Sequence, residues 1–381
     1  MRRHLSPLLA ATAMALTMSA GAQTQPVKIA TIVELSGPGA TSGTNFKNGV
    51  ELAVKEINAS GGILGRKLQT TVADTQSNPG VAKGLATKAV DDGVFAVFGP
   101  VFSGSILVSM AETRKAEIIN FTGGEAAAIT KQGNPYIFRT SFTQDTAMPK
   151  VARYIATKLN AKTVALIYVN NDFGKGGRES LMKALDPLGV KVVADISTEQ
   201  NQLDFSAAVI KAKQSNADVV FVYSNEEESA RALRELRKQG VSKPIVGETV
   251  LTSQKVIELA GDAANGAIAH VGLTADAPLA PVRAFRERFE REYRFIPDHN
   301  GVKGYTGVFI LKAAVEKVGR FDSKAVAQAL HGMSIKVAQQ PGVLMDVSFD
   351  ANGDLDRESF MAEARNGKQE VKEILPALGA K

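Results

Sequence analysis

Five polar turns, each closing an apolar run, hold the residues whose types and spacing suit chemistry. In Phe98-Gly99-Pro100-Val101-Phe102-Ser103-Gly104-Ser105 the apolar run gives way to a serine at or near a helix start. The first N–H groups of a helix lack intrahelical partners and carry partial positive charge, so this turn suits an anion such as a carboxylate. Simple N-capping by Ser103 is the other reading. Asn120-Phe121-Thr122-Gly123-Gly124-Glu125 is a second such end, where Gly123 and Gly124 permit close backbone approach and Glu125 adds an acid. Asn170-Asn171-Asp172-Phe173-Gly174 offers Phe173 either to a ligand or to its own packing unit. Glu226-Glu227-Glu228 suits either the positive end of a helix or a bound cation. Glu248 ends an apolar strand and lies on no amphipathic face, which fits a ligand ammonium or a structural salt bridge.

Catalytic and cofactor chemistry finds little support. Cysteine is absent, and the four histidines, His4, His270, His299 and His331, form no local metal-binding pair. Gly174-Lys175 is followed by glycine rather than Ser or Thr, so no phosphate-binding P-loop exists. Neither His-Glu-x-x-His nor Gly-x-Ser-x-Gly occurs, and Ser180-Leu181-Met182-Lys183 lacks the companion motifs of a serine acyl-enzyme. No cofactor and no metal are expected, and the chain reads as a non-enzyme. Lys and Arg total 45 against 39 Asp and Glu, a surplus of +6 that is spread along the chain. A nucleic-acid footprint would be clustered, so nucleic acid is not an expected partner.

The elements that must position these turns follow from periodicity. A length of 381 residues with 44% apolar and 22% charged residues suggests two globular domains. Lys28 to Val33 reads as a strand, 43–59 as a helix with apolar residues at helical spacing, Leu68 to Ala73 as a strand and Val81 to Val90 as a helix. Val94 to Phe98 is continuously apolar, as a strand buried on both faces should be. The series ends with a helix over Ser105 to Arg114 and a strand over Glu117 to Phe121. It restarts after Phe142, with helices predicted at Pro149 to Leu159, Gly176 to Leu185, Phe205 to Lys213 and Glu226 to Gln239. Strands are predicted between them at Thr163 to Val169, Val190 to Ile196, Asp218 to Tyr223 and Pro244 to Gly247. Two successive strand–helix–strand runs imply two α/β lobes, each a doubly wound parallel sheet. Three further helices, 282–293, 302–318 and 323–330, precede a final stretch of strands and turns over 342–375.

Met1-Arg2-Arg3-His4, the apolar run Leu8 to Met18 and Ala20-Gly21-Ala22 have the three-part pattern of a secretory signal peptide. The apolar run is too short to span a membrane. Residues 1–22 are therefore expected to be removed after Ala22, leaving an exported protein with no membrane insertion.

Taken together, Glu34-Leu35-Ser36-Gly37-Pro38, Asn58-Ala59-Ser60-Gly61-Gly62-Ile63-Leu64-Gly65-Arg66, Ala73-Asp74-Thr75, Phe98-Gly99-Pro100 with Ser103, Tyr136-Ile137-Phe138-Arg139 and Asn171-Asp172-Phe173-Gly174 resemble a known pattern. The chain resembles the periplasmic solute-binding proteins of branched-chain amino-acid ABC importers over nearly its whole length. The resemblance implies an α/β type I periplasmic-binding-protein fold whose two lobes are joined by a three-crossover hinge. It implies lobe 1 over 23–142 plus 273–344, and lobe 2 over 143–272 plus 345–381. It also implies capture of an amino acid or amino-acid-like solute in the periplasm, delivery to membrane permease subunits, and a monomer. Carried over residue by residue, Ser103, Gly123, Gly124 and Glu125 look like the first-lobe shell around the amino acid. Phe173 takes an aromatic position, and Glu248 looks like the carboxylate that meets the ammonium. Two departures from the Leu/Ile/Val pattern stand out: Gly123-Gly124-Glu125 replaces a sequence ending in a hydroxyl, and Glu226 with its neighbours replaces a tyrosine. Both add negative charge, which opens the site to polar or cationic amino acids and amides. The alternatives are a ligand-sensing receptor subunit of the same fold and an exported α/β hydrolase, the latter lacking its nucleophile motif.

Overall fold

The computed structural model describes residues 25–378; the expected leader, residues 1–22, lies outside them. The chain opens with β1 (Val27–Val33), α1 (Ala40–Ala59), β2 (Leu68–Asp74), α2 (Pro79–Asp91), β3 (Ala96–Phe98), α3 (Ser103–Lys115), β4 (Ile119–Thr122) and β5 (Ile137–Arg139). These strands form an all-parallel sheet in the order β2-β1-β3-β4-β5. The inner strands β3 and β4 are buried at every position, whereas the edge strand β2 buries Leu68 alone and mixes exposed with half-buried positions. That is the burial expected of a parallel sheet covered on both faces.

A second series follows: α4 (Gln144–Thr157), β6 (Thr163–Val169), α5 (Asp172–Leu185), β7 (Lys191–Thr198), α6 (Ser206–Gln214), β8 (Val219–Tyr223), α7 (Glu226–Lys238), β9 (Ile245–Glu248), α8 (Gln254–Ala260) and β10 (Ile268–Val271). Its parallel strands run β10-β9-β8-β6-β7. Then come α9 (Ala280–Tyr293), α10 (His299–Val318), α11 (Ser323–Leu330), β11 (Ser334–Ile335), β12 (Val347–Phe349), β13 (Leu355–Asp356), β14 (Ser359–Arg365) and β15 (Lys368–Leu375). The last two strands extend the second sheet antiparallel beyond β10. Among the described residues no helix is long and apolar enough to cross a membrane.

The chain thus passes between the sheets three times: after β5, after β10 and after β13. Phe285, Phe289, Val302 and Tyr305 from α9 and α10 share one core with Phe46, Phe98 and Phe121 of the first lobe. The third passage falls later than position 345. Strands β12 and β13 pair with β11, and Met345, Val347, Phe349 and Leu355 enter the first core. Two other differences have local causes. Helix α4 begins five residues before Pro149 and carries that proline inside it, where it forfeits one backbone bond rather than starting the helix. The short elements α8, β5 and β10 hold too few residues to display a period.

Helices α1 and α10 approach backbone to backbone. A Cβ at Gly304 would collide with the Phe46 carbonyl, and one at Gly49 with the Gly301 carbonyl. Backbone cannot yield as a side chain can. Gly304→Ala is therefore expected to destabilise the protein by at least about 1–3 kcal/mol in urea unfolding. Gly84→Ala, where nothing lies within 4 Å, is expected to raise stability by about 0.4–1 kcal/mol.

Candidate functional site

The carboxyl ends of β3 and β4 face those of β6 and β8 across a cavity of about 150 Å³, the usual ligand position in open α/β sheets. The first wall is prepared by Glu34. Its buried carboxylate accepts the Val101 amide (3.0 Å) and the Phe102 amide (3.2 Å), fixing the turn into α3. Phe102, not Ser103, is the N-cap residue, and Ser103 is the first helical residue. Its hydroxyl accepts the Ala126 amide at 3.2 Å and so joins two turns. The amides of Ser103, Gly104 and Ser105 find no acceptor among the described residues, and all three residues line the cavity.

Arg139, fully buried, anchors the second turn from behind. It donates to the Gly124 carbonyl, to the Ala126 carbonyl (3.0 Å) and to Thr130 Oγ1 (3.2 Å), and pairs with Asp354 at 2.6 Å. The turn so held presents Gly123, Gly124 and Glu125 to the cavity. Glu125 accepts Lys303 Nζ at 3.0 Å, and Lys303 also donates to the Gly123 carbonyl at 3.2 Å. Burial pushes the Glu125 carboxyl up to about 7; the Glu248 charge adds to this and Lys303 opposes it.

The opposite wall belongs to the second lobe. Asn171 caps α5 by accepting the Gly174 amide at 2.9 Å, which places Phe173 in the first helical turn. Phe173 lines the cavity and also stacks on Tyr223 at 4.2 Å, within its own lobe. Gln144 binds this pair to the hinge, donating to the Phe173 carbonyl (2.7 Å) and the Tyr223 hydroxyl (3.0 Å). The Tyr223 hydroxyl in turn donates to Glu125 at 3.4 Å. Glu226 opens α7, and its carboxylate accepts Ser42 Oγ at 2.5 Å across the cavity. Burial raises its pKa.

Six of the seven sequence-derived site residues thus line one cavity: Ser103, Gly123, Gly124, Glu125, Phe173 and Glu226. Glu248 does not line it. Its Oε1 accepts Thr249 Oγ1 (2.6 Å) and faces His270 Nδ1 (3.1 Å), and it stands behind Glu125. Burial pushes His270 down to about 3, so the imidazole is neutral beside that acid. Lys303, Ser42 and Tyr223 escaped sequence reasoning. Lys303 carried a usable signal, being a charge within the otherwise apolar or small stretch Gly301 to Leu311.

The arrangement offers unpaired amides and a hydroxyl for an anion, carboxylates for a cation, and an aromatic face for a side chain. Among the described residues no cluster of three His, Asp or Glu is placed to hold a metal. Residues 26–369 match the family described as periplasmic binding protein. The chain belongs to that family. A Leu/Ile/Val-binding protein of Rhizobium johnstonii is 30% identical over 88% of this chain and 90% of its own length. A leucine-, isoleucine-, valine-, threonine- and alanine-binding protein of Pseudomonas aeruginosa is 26% identical over 94% and 95%. Among solved structures, a branched-chain amino-acid transporter binding protein of Streptococcus pneumoniae with isoleucine superposes with TM-score 0.84 at 28% identity, covering 92% of this chain and 99% of that one. A benzoate-bound solute-binding protein of R. palustris reaches the same TM-score at 22% identity over 93% and 98%, and shares the fold. These relatives bear out the α/β periplasmic-binding-protein architecture read from the sequence.

Beside the cavity of this binding protein, Asp298 caps α10 by accepting the Asn300 and Gly301 amides at 2.7 and 3.2 Å. Burial first, then the Glu226 charge, pushes its carboxyl up to about 7 from 3.8. A raised carboxyl means the folded state holds a proton that the unfolded state releases, so this group's contribution falls as pH rises from about 4 to 7. Asp298→Asn retains the cap and removes the titration. Denaturant unfolding at several pH values is expected to show the variant gaining on the wild-type protein across that window, with no further gain above it.

Proposed function

We propose that this binding protein captures an amino-acid-like solute between its lobes in the periplasm and passes it to the membrane subunits of an ABC importer. The observation that carries the reading is the opposition of unlike groups across one cavity. Amides at the start of α3 and the Ser103 hydroxyl face it from one side, and Glu125 and Glu226, one from each lobe, face it as well. A zwitterion satisfies both ends at once. Its carboxylate rests on the amides of Ser103, Gly104 and Ser105 and on Ser103 Oγ. Gly123 and Gly124 let it approach the backbone, and its ammonium meets Glu125, supported from behind by Glu248. Phe173 covers the side chain, with Glu226 beyond it. Relatives named for leucine, isoleucine, valine, threonine and alanine support the amino-acid class.

The mechanism is capture, not turnover. Contacts from both lobes are available together only when the lobes are close, so a bound solute shifts the equilibrium toward that state. The permease subunits then read the closed form, and a monomer suffices.

A thermal-unfolding screen against amino acids, small amides and carboxylates tests the class, because a solute that binds the native state raises the melting temperature. No shift with any amino acid or amide would sink the proposal. Ser103→Ala removes one hydrogen bond to a charged group and is expected to weaken binding about 10- to 100-fold in calorimetry. Affinity unchanged in that variant would place the carboxylate elsewhere.

A further inference from the structure

We propose that the solute is short and carries a net positive charge, a diamino acid rather than a branched aliphatic one, with Glu226 as the counter-ion of its side-chain cation. This rests on the cavity being the amino-acid site described above, and it names the class of side chain. Charge balance carries the argument. Of the cavity-lining residues, Lys303 is the one lysine or arginine, and it is already engaged with Glu125 at 3.0 Å. Glu248 stands behind that pair. Lys303 and the α-ammonium of an amino acid together balance Glu125 and Glu248, while the α-carboxylate is held by the α3 amides. Glu226 remains. It is buried, lines the cavity, and has no cation in salt-bridge contact among the described residues. Its one side-chain hydrogen bond is to the Ser42 hydroxyl at 2.5 Å.

An apolar side chain would leave Glu226 beside hydrocarbon, where its charged form is disfavoured and it must hold a proton to stay buried. A second ammonium at the far end of the solute removes that penalty. A second carboxylate would instead meet Glu226 and find Lys303 already occupied. The space is also limited. A cavity of about 150 Å³ compares with one that admits benzene, so a solute of roughly six to nine non-hydrogen atoms fits.

Three amino acids of nearly equal size separate the possibilities in calorimetry at pH 7: 2,4-diaminobutyrate, 2-aminobutyrate and aspartate. The expected order is diaminobutyrate tightest, by ~10-fold or more over 2-aminobutyrate, with aspartate weakest. In Glu226→Gln, checked for folding by thermal unfolding, the ratio between the first two is expected to fall to within ~3-fold. Equal or tighter binding of 2-aminobutyrate by the wild-type protein overturns the inference while leaving amino-acid capture standing. A preference for the diamine that survives in Glu226→Gln overturns the assignment of the counter-ion. Failure of all amino acids to bind removes the capture reading itself. The wild-type ranking decides the matter even if the variant does not fold.

Discussion

A wall that keeps amides unpaired for a solute must itself be held by groups that are fully paired. In this protein Glu34 and Arg139 meet that requirement. Each is buried at 0% exposure, and neither faces the cavity. Glu34 consumes the two amides just before α3, so the turn cannot relax to satisfy those that follow. Arg139 gathers two carbonyls and a threonine of the adjacent turn and is neutralised by Asp354. Supporting partners of this kind convert a flexible loop into a fixed set of donors.

The same economy governs the junction of the lobes. Gln144, just beyond the first passage between sheets, reaches the Phe173–Tyr223 stack, and Tyr223 reaches Glu125. Ser42 and Glu226 meet directly from opposite sides. These contacts are polar, whereas the large apolar clusters lie mostly within one lobe or the other, the first reaching across to Ala147 of α4 and Phe360 of β14. Separating the lobes would expose polar groups that water can hydrate, at less cost than exposing an apolar core. Such a junction is suited to moving between two states rather than to permanent association.

Acid concentrates around the cavity. Glu125, Glu226, Glu248 and Asp298 are all buried, and burial is the largest cause of the upward shift in each. Of these, Glu226 lines the cavity, has no salt-bridge partner among the described residues, and accepts a hydrogen bond from Ser42.

Much of this was legible in one dimension. Continuous apolar runs marked the inner strands, helical spacing marked most helices, and strand ends marked Ser103, Gly123, Gly124, Glu125, Phe173 and Glu226, because a parallel sheet puts all its carboxyl ends on one side. Glu248 was marked by the same rule, yet the fold sets it behind Glu125, since a strand-end rule fixes the level of a residue but not the direction of its side chain. Lys303, Ser42 and Tyr223 became neighbours of the cavity only through helix packing and lobe approach. Contacts between residues separated by 178 and 184 positions, as in Lys303–Glu125 and Ser42–Glu226, leave no local period. Local sequence determined which elements form and where their ends lie; only the tertiary structure decided which charges face each other, because pairing depends on distances that chain connectivity does not encode.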